Sequence, residues 1–130
     1  MVEKEVIDVP ELEESRSRSF EQCIRVGDRV FVAGQTGATE DGLVSLEFEP
    51  QARRAFERIE YALAAAGASL SDLVAMTVYV TDMRYAREFK DVRGEILGDD
   101  LATSALIGVD SLAQPGMLIE IQSEALLTDD

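Results

Sequence analysis

The sequence predicts one α/β (α+β) domain in which a mixed sheet of six strands carries two helices on one face. Three observations lead to this prediction. The chain has 130 residues and 14.2 kDa, which suits a single compact domain. Hydrophobic residues make up 46% of it, enough for a core. Runs rich in β-branched residues precede, separate and follow two stretches with apolar residues at helical spacing.

Residues 1–19 carry six acidic residues, few large apolar side chains and one proline. We expect them to form a loosely attached, partly flexible arm that contributes one edge segment, with the domain proper over residues 20–130. Two β-rich runs, Cys23–Val26 and Arg29–Ala33, flank Gly27 and Asp28, a dipeptide typical of a hairpin turn. Glycines then mark turns around a short extended segment at Leu43–Ser45, counted as a third strand.

The two helices have clear boundary signals. Pro50 is expected to open the first helix, at a position where its missing N–H costs little. Gly67 closes that helix, and the residues between show helical apolar spacing at Ala52, Phe56, Ile59 and Leu63. The second amphipathic helix is predicted over Tyr85–Leu97, with Gly98 ending it.

The remaining strands are predicted at Leu73–Thr81, Ser104–Val109 and Met117–Leu127. The first of these has apolar residues on both faces, with Val74, Met76, Val78 and Val80 pointing one way and Leu73, Ala75 and Tyr79 the other. Two helices cover only one face of such a sheet, so we expect a second copy of the chain to bury the other. Loops covering that face are the alternative.

Charge and composition exclude several classes of function. Acidic residues number 26 against 12 basic ones, a net charge of −14, and Lys4 and Lys90 are the only lysines. This balance argues against a nucleic-acid partner, since phosphate binding needs clustered cations. An acidic surface is expected of a protein adapted to high salt, and equally of an ordinary acidic protein. No long apolar run or leader-like segment is present, so we expect no membrane partner and a cytoplasmic location.

The residue types that are absent limit the chemistry further. There is no histidine, which excludes a Ser-His triad, a histidine base and a histidine-ligated metal. Cys23 is the only cysteine, and a lone cysteine of this kind is expected in the core. No loop has calcium-type spacing. We therefore expect no metal and no cofactor, and any chemistry relies on carboxylates, backbone amides, hydroxyls and water.

Four ordered blocks of sequence resemble the Rid family, also known as YjgF or RidA and once called L-PSP endoribonuclease. They span residues 27–37, 62–73, 77–83 and 107–121. The resemblance implies a chorismate-mutase-like fold assembled as a homotrimer, with one small-molecule cleft at each subunit boundary. It also implies cofactor-free hydrolysis of reactive imines and enamines to a 2-oxo acid and ammonia.

The resemblance also places the candidate site residues. Where the family's deaminases hold the substrate carboxylate with an arginine, this chain has Ser104, followed by Ala105 and Leu106. Other positions of the implied cleft are Phe20 in place of tyrosine, Ala33 in place of serine, the retained Gly34, and Phe89 or Lys90 in place of asparagine. The implied pocket is more apolar than the family norm and suits a larger or uncharged ligand. Arg25 is a weaker candidate for replacing the missing arginine.

Glu120 is the candidate catalytic residue. It alternates with apolar neighbours on a predicted strand, at the position where the family's glutamate is thought to position or activate water. A carboxylate among apolar neighbours has a raised pKa and exchanges protons near neutral pH. The alternative is a structural ion pair between Glu120 and Arg25 or Arg29.

Two functional hypotheses follow. The first is a cofactor-free hydrolase or lyase of an imine, enamine or related reactive metabolite that lacks a carboxylate near the reacting carbon or carries it elsewhere. The second is a trimer that binds a small molecule without converting it, as the loss of the arginine at Ser104 would favour. Ribonuclease activity is disfavoured by the net charge of −14 and the lack of histidine.

Overall fold

A computed structural model describes residues 3–128 as a six-stranded mixed sheet with two helices, so the predicted fold class is confirmed. The strands are Lys4–Val6 (β1), Cys23–Val26 (β2), Arg29–Thr36 (β3), Leu73–Val80 (β4), Thr103–Gly108 (β5) and Ile119–Leu126 (β6). The helices are Phe48–Ala65 (α1) and Ala86–Leu97 (α2). The strand order is β1-β2-β3-β6-β4-β5, in which only β4 and β5 are parallel.

The turn signals in the sequence lie where the chain changes direction. Gly27 has a φ of +59° in the hairpin between β2 and β3. Gly67 has a φ of +85° just beyond α1, in the left-handed region that favours glycine at a helix end. Helix α1 begins at Phe48 rather than at Pro50, which therefore lies in the first turn, where a proline is also tolerated.

Two expectations about the first half of the chain are wrong. The segment Leu43–Ser45 is a loop; Leu43 O accepts the Thr39 N–H and forms a local turn there. The sixth strand is instead β1, the edge segment expected from the N-terminal residues, which pairs with β2. The following residues are not loosely attached, because Val9 and Leu12 are buried in the core.

The core lies between one face of the sheet and the two helices. Helix α1 packs against β3 and β6, and α2 packs against α1. Phe56 of α1 stacks on Phe89 of α2, with ring centroids 6.1 Å apart. Among residues 3–128, no helix is both long and apolar enough to cross a bilayer.

The opposite face of the sheet is not covered by either helix. An irregularity in the pairing of β4 with β6, between Leu73 and Ala75, changes the predicted facing of β4. Leu73 is buried like Met76, whereas Val74 is 44% exposed, so the expectation that Val74 points the same way as Met76, and Leu73 the other way, is wrong. Apolar side chains are nevertheless exposed on this sheet, including Val6, Ile107 and Leu126.

Candidate functional site

A pocket of about 610 Å³ lies where β3 ends and β6 begins. Its walls come from the N-terminal segment, the end of β3 and the loop after it, helix α1 and the start of β6. The lining residues used below are Glu13, Arg18, Phe20, Ala33, Gly34, Arg58 and Glu120. A pocket of this size suits a small metabolite.

A β-bulge in β3 shapes one wall of this pocket. The pairing of β3 with β6 shifts between Val32 and Gln35, so Ala33 and Gly34 lie in the irregular stretch. The Ala33 N–H donates to Gln22 O at 2.9 Å, on the β2 side of the strand. A bulge re-aims neighbouring side chains and is common beside active sites. Here it brings the backbone of Gly34 to the pocket surface.

Gly34 leaves room for the carboxylate of Glu120. A Cβ added at Gly34 would lie 2.3 Å from Glu120 Oε2 and 2.7 Å from its Cδ. No side chain fits in that space while the carboxylate stays where it is. A glycine is therefore needed at position 34 because the Glu120 carboxylate lies close to its backbone, and not because the backbone there adopts a conformation that only glycine favours.

Helix α1 positions the start of the strand that carries Glu120. The buried Gln51 amide donates to Gly116 O at 2.8 Å and to Ser45 O at 2.6 Å. Its Oε1 accepts the Leu118 N–H at 2.9 Å. Glu120 follows two residues later, paired with Thr36 of β3 and with Tyr79 of β4. The glutamate thus lies on a strand held from both sides.

The Glu120 carboxylate makes no hydrogen bond or ion pair within residues 3–128. The alternative, an ion pair between Glu120 and Arg25 or Arg29, is not formed. Arg29 pairs with Glu124 at 3.1 Å, and Arg25 Nε donates to Gly27 O. Burial raises the pKa of Glu120 above the ordinary value of a glutamate. A half-buried carboxylate without a partner can take a proton from water and return it.

Behind Gly34, a chain of buried polar groups forms the floor of the pocket. Gln35 Nε2 donates to Gln22 Oε1 at 2.8 Å, and Gln35 Oε1 accepts the Arg58 Nε–H at 3.0 Å. Arg58 Nη2 donates to both carboxylate oxygens of Glu13, at 2.7 and 2.9 Å. Arg58 is 3% exposed, and its charge is paired with the carboxylate of Glu13 at the pocket surface.

Arg58 is not among the residues predicted from the sequence. The signal that could have identified it is a charged residue within the apolar stripe of α1, three residues after Ala55 and four before Ala62. A charge at such a position is rarely buried unless it has a partner. The partner, Glu13, lies 45 residues away in the chain.

Phe20 and Ala33 line the pocket, as the resemblance implies. Phe20 is 39% exposed, and the Arg18 guanidinium lies 5.1 Å above the centre of its ring. Phe89 does not reach the pocket. It is 1% exposed in the core, so the expectation that it contacts a ligand is corrected; Lys90 beside it is exposed on α2.

Ser104, Ala105 and Leu106 lie on β5, at the edge of the sheet beyond β4, and do not line the pocket of their own chain. Ser104 Oγ accepts a hydrogen bond from Arg93 Nη1 at 2.8 Å. The Arg93 guanidinium also lies 5.1 Å from the ring centre of Phe89. A positive charge that was not predicted from the sequence is therefore present beside the neutral Ser104.

Other reactive groups offer no second candidate site. Cys23 is buried, donates to Ala62 O at 3.7 Å, and its pKa is raised to about 11 by burial. It is a core residue, as predicted, and not a thiolate nucleophile. Within the part of the chain that the structure describes, no three Cys, Asp or Glu side chains are grouped so that they could hold a metal ion.

Comparison with known proteins gives consistent results. A sequence model of the family described as Endoribonuclease L-PSP matches residues 13–127. The RutC family protein PYRAB12510 of Pyrococcus abyssi is 34% identical over 108 residues, 82% of this chain and 84% of that protein. The RutC family protein YjgH of Escherichia coli is 38% identical over 73 residues, 56% of this chain and 54% of that protein.

Two further relatives extend the comparison. TdcF of Escherichia coli, named as a candidate reactive intermediate deaminase, is 25% identical over 108 residues, 82% of this chain and 84% of that protein. The crystal structure of Rv2704 from Mycobacterium tuberculosis, described as a YjgF/YER057c/UK114 family member, has a TM-score of 0.84 and 31% identity. That match covers 96% of this chain and all of Rv2704.

Proposed function

This chain belongs to the Endoribonuclease L-PSP family, and from that membership and the geometry of its pocket we propose that it hydrolyses an imine or enamine of a small metabolite. One observation carries the proposal: the unpaired, half-buried carboxylate of Glu120 lies in a pocket large enough for such a molecule. The name of the relative TdcF, a candidate reactive intermediate deaminase, supports the same chemistry.

An enamine first becomes the imine by losing a proton from nitrogen and gaining one at the β-carbon. Water then adds across the C=N bond, and ammonia is released. Glu120 takes a proton from water as the water oxygen bonds to the imine carbon, and the C=N electron pair moves to nitrogen. Glu120 then gives that proton to the nitrogen, which leaves a carbinolamine. In the second half, Glu120 takes the hydroxyl proton and delivers it to the nitrogen as the C–N bond breaks. The products are a carbonyl compound and ammonia, and no cofactor is needed.

A trimer would complete the site. The uncovered face of the sheet carries exposed apolar side chains, among them Val6, Ile107 and Leu126, which a second copy can bury. In the proposed assembly, the β5 edge of a neighbouring subunit faces the pocket of the first. It brings Ser104 and its partner Arg93 to the cleft, together with the backbone of Ala105 and Leu106.

A binding module without catalysis is the alternative. The observation that favours it is the neutral side chain of Ser104 at the position where the resemblance implies an arginine. Ribonuclease activity, suggested by the family description, has less support. Glu13, Glu14, Glu40 and Glu120 all line the pocket and would repel a phosphate backbone.

The test is an assay of imine loss. Arg18 and Arg58 line the pocket and supply the positive charge that Ser104 does not. We therefore expect the protein to speed the hydrolysis of 2-iminopropanoate or 2-iminobutanoate, generated in place by an amino-acid oxidase, above the rate in buffer. Gel filtration is expected to give about three times the 14.2 kDa chain mass. Saturable binding with no rate above buffer would favour the binding module. Elution at the mass of one chain would contradict the shared cleft.

A further inference from the structure

Arg58 is a pocket residue with no part in the proton transfers described above. Two contacts hold its guanidinium from within the protein: Nε donates to Gln35 Oε1 at 3.0 Å and Nη1 to Ala38 O at 3.4 Å. The Nη2 edge is directed to Glu13, and both residues line the pocket. This is the geometry of an arginine presenting hydrogen-bond donors to a carboxylate.

The carboxylate on Arg58 belongs to a more exposed side chain. The Glu13 side chain is 50% exposed, against 4% for that of Arg58. Burial alone would raise the pKa of Glu13, but the hydrogen bonds from Arg58 and the charges of Arg58 and Arg18 lower it overall, so the group is ionised at neutral pH. Glu13 therefore occupies, as an anion, the position that an anionic ligand would take.

Glu13 has a second arginine within reach. Arg18 Nη2 lies 3.6 Å from Glu13 Oε1, and the Arg18 side chain is 53% exposed. The backbone on either side of Glu13 is anchored by the buried Leu12 and Ser15. A rotation of the Glu13 side chain toward Arg18 would thus free Arg58 without moving the chain.

We propose that Arg58 is the carboxylate-binding residue of this pocket, and that it takes the carboxylate of the substrate in exchange for Glu13, which turns to Arg18. The exchange replaces one carboxylate by another, so the buried guanidinium is paired both before and after it, and the unfavourable state of an unpaired buried charge is avoided. The proposal rests on the proposed function for its substrate class, which is a small 2-imino or 2-enamino monocarboxylate. The acidic groups of Glu40 and Glu120 in the same pocket disfavour a second negative charge on the ligand.

The proposal explains how a member with Ser104 can still bind a carboxylate. The cation comes from α1 of the same subunit and not from β5. Because Glu13 competes for it from within the chain, we expect binding of the carboxylate to be weak in the wild-type protein.

Calorimetric titration with 2-oxobutanoate, a carboxylate that cannot undergo the imine reaction, tests the exchange. Glu13→Gln leaves Arg58 a neutral and weaker acceptor, so we expect the Kd for 2-oxobutanoate to fall by about tenfold. Glu13→Asp keeps the charge but shortens the reach, and a smaller fall is expected. Thermal melting checks that each variant is folded.

Glu11→Gln is the matched control. It removes the same charge two residues earlier in the chain, from an exposed side chain that does not line the pocket. We expect it to change the Kd by less than about twofold. Equal effects of Glu13→Gln and Glu11→Gln would overturn the exchange, as would an unchanged Kd in Glu13→Gln. Because the probe is not converted, this result is independent of whether the imine is hydrolysed.

Discussion

Glu120→Gln is expected to lower kcat/KM for imine hydrolysis by roughly 10²- to 10⁴-fold, the range for loss of a general acid–base group. The amide matches the size of the carboxylate but cannot accept and return a proton. Stopped-flow or trapping measurements of imine loss at neutral pH provide the comparison. A variant that retains wild-type kcat/KM would remove Glu120 from the chemistry.

Stability measurements separate this loss from misfolding. Burial raises the pKa of Glu120 in the folded protein. The contribution of this carboxyl group to the free energy of unfolding is therefore fully present below the unfolded-state pKa and is lost as pH rises through the folded-state pKa. A glutamine side chain does not ionise, so Glu120→Gln removes the free-energy cost of a half-buried negative charge at neutral pH. We therefore expect the variant to be at least as stable as the wild type at neutral pH.

Glu124→Gln is the control for the strand. Glu124 lies four residues further along β6, and its carboxylate pairs with the exposed Arg29. An exposed pair of this kind contributes little to stability. The kcat/KM of Glu124→Gln is expected to stay within about twofold of the wild-type value, and its elution volume in gel filtration is expected to be unchanged.

Gly34→Ala is expected to lower kcat/KM by about 10²-fold, because the new methyl group would overlap Glu120 Oε2 and displace the carboxylate. The overlap is with the end of a flexible side chain and not with backbone, so the fold is expected to remain intact. The measurement is the imine assay together with circular dichroism. If Gly34→Ala has wild-type kcat/KM, the observed position of the carboxylate is not the reactive one.

Two further variants sharpen this result. A methyl group added at Gly94 of α2 meets no heavy atom within 4 Å, so Gly94→Ala should leave kcat/KM unchanged and raise the free energy of unfolding by about 0.5–1 kcal/mol. Adding Gly34→Ala to Glu120→Gln should cause little further loss, since both changes affect the same group. A full additional 10²-fold loss would show that Gly34 acts in another way.

The regular elements of the fold were largely predictable from the sequence. Apolar spacing from Ala52 to Leu63 identified α1, and the Gly27-Asp28 turn identified the first hairpin. An edge segment is expected within residues 1–19, but the bounds of β1 are not predictable, because three residues are too few to show a period and the pairing with β2 depends on residues far along the chain. The shift in the β4–β6 pairing between Leu73 and Ala75 also has no local sequence signal. It places the Val74 side chain on the opposite side of the sheet from the one expected.

The site was predictable only in part. The family resemblance pointed to Glu120 and Gly34, and the structure places them in contact. The resemblance leaves open whether Phe89 or Lys90 takes the position of the family's asparagine, and the structure buries Phe89 in the core. Arg58 with Glu13, and Arg93 with Ser104, are pairs made by packing between separate elements. No spacing along the sequence specifies which of several arginines meets which partner.

The pH dependence of catalysis tests the central claim, that the ionised Glu120 carboxylate moves the protons of the reaction. Between about pH 4 and pH 8, kcat/KM of the wild-type protein should fall on the acid side through one ionisation. Its midpoint should lie above the ordinary pKa of a glutamate and coincide with the ¹³C carboxyl titration of Glu120, assigned by its absence in Glu120→Gln. A rate that stays constant while the Glu120 signal titrates would contradict the account.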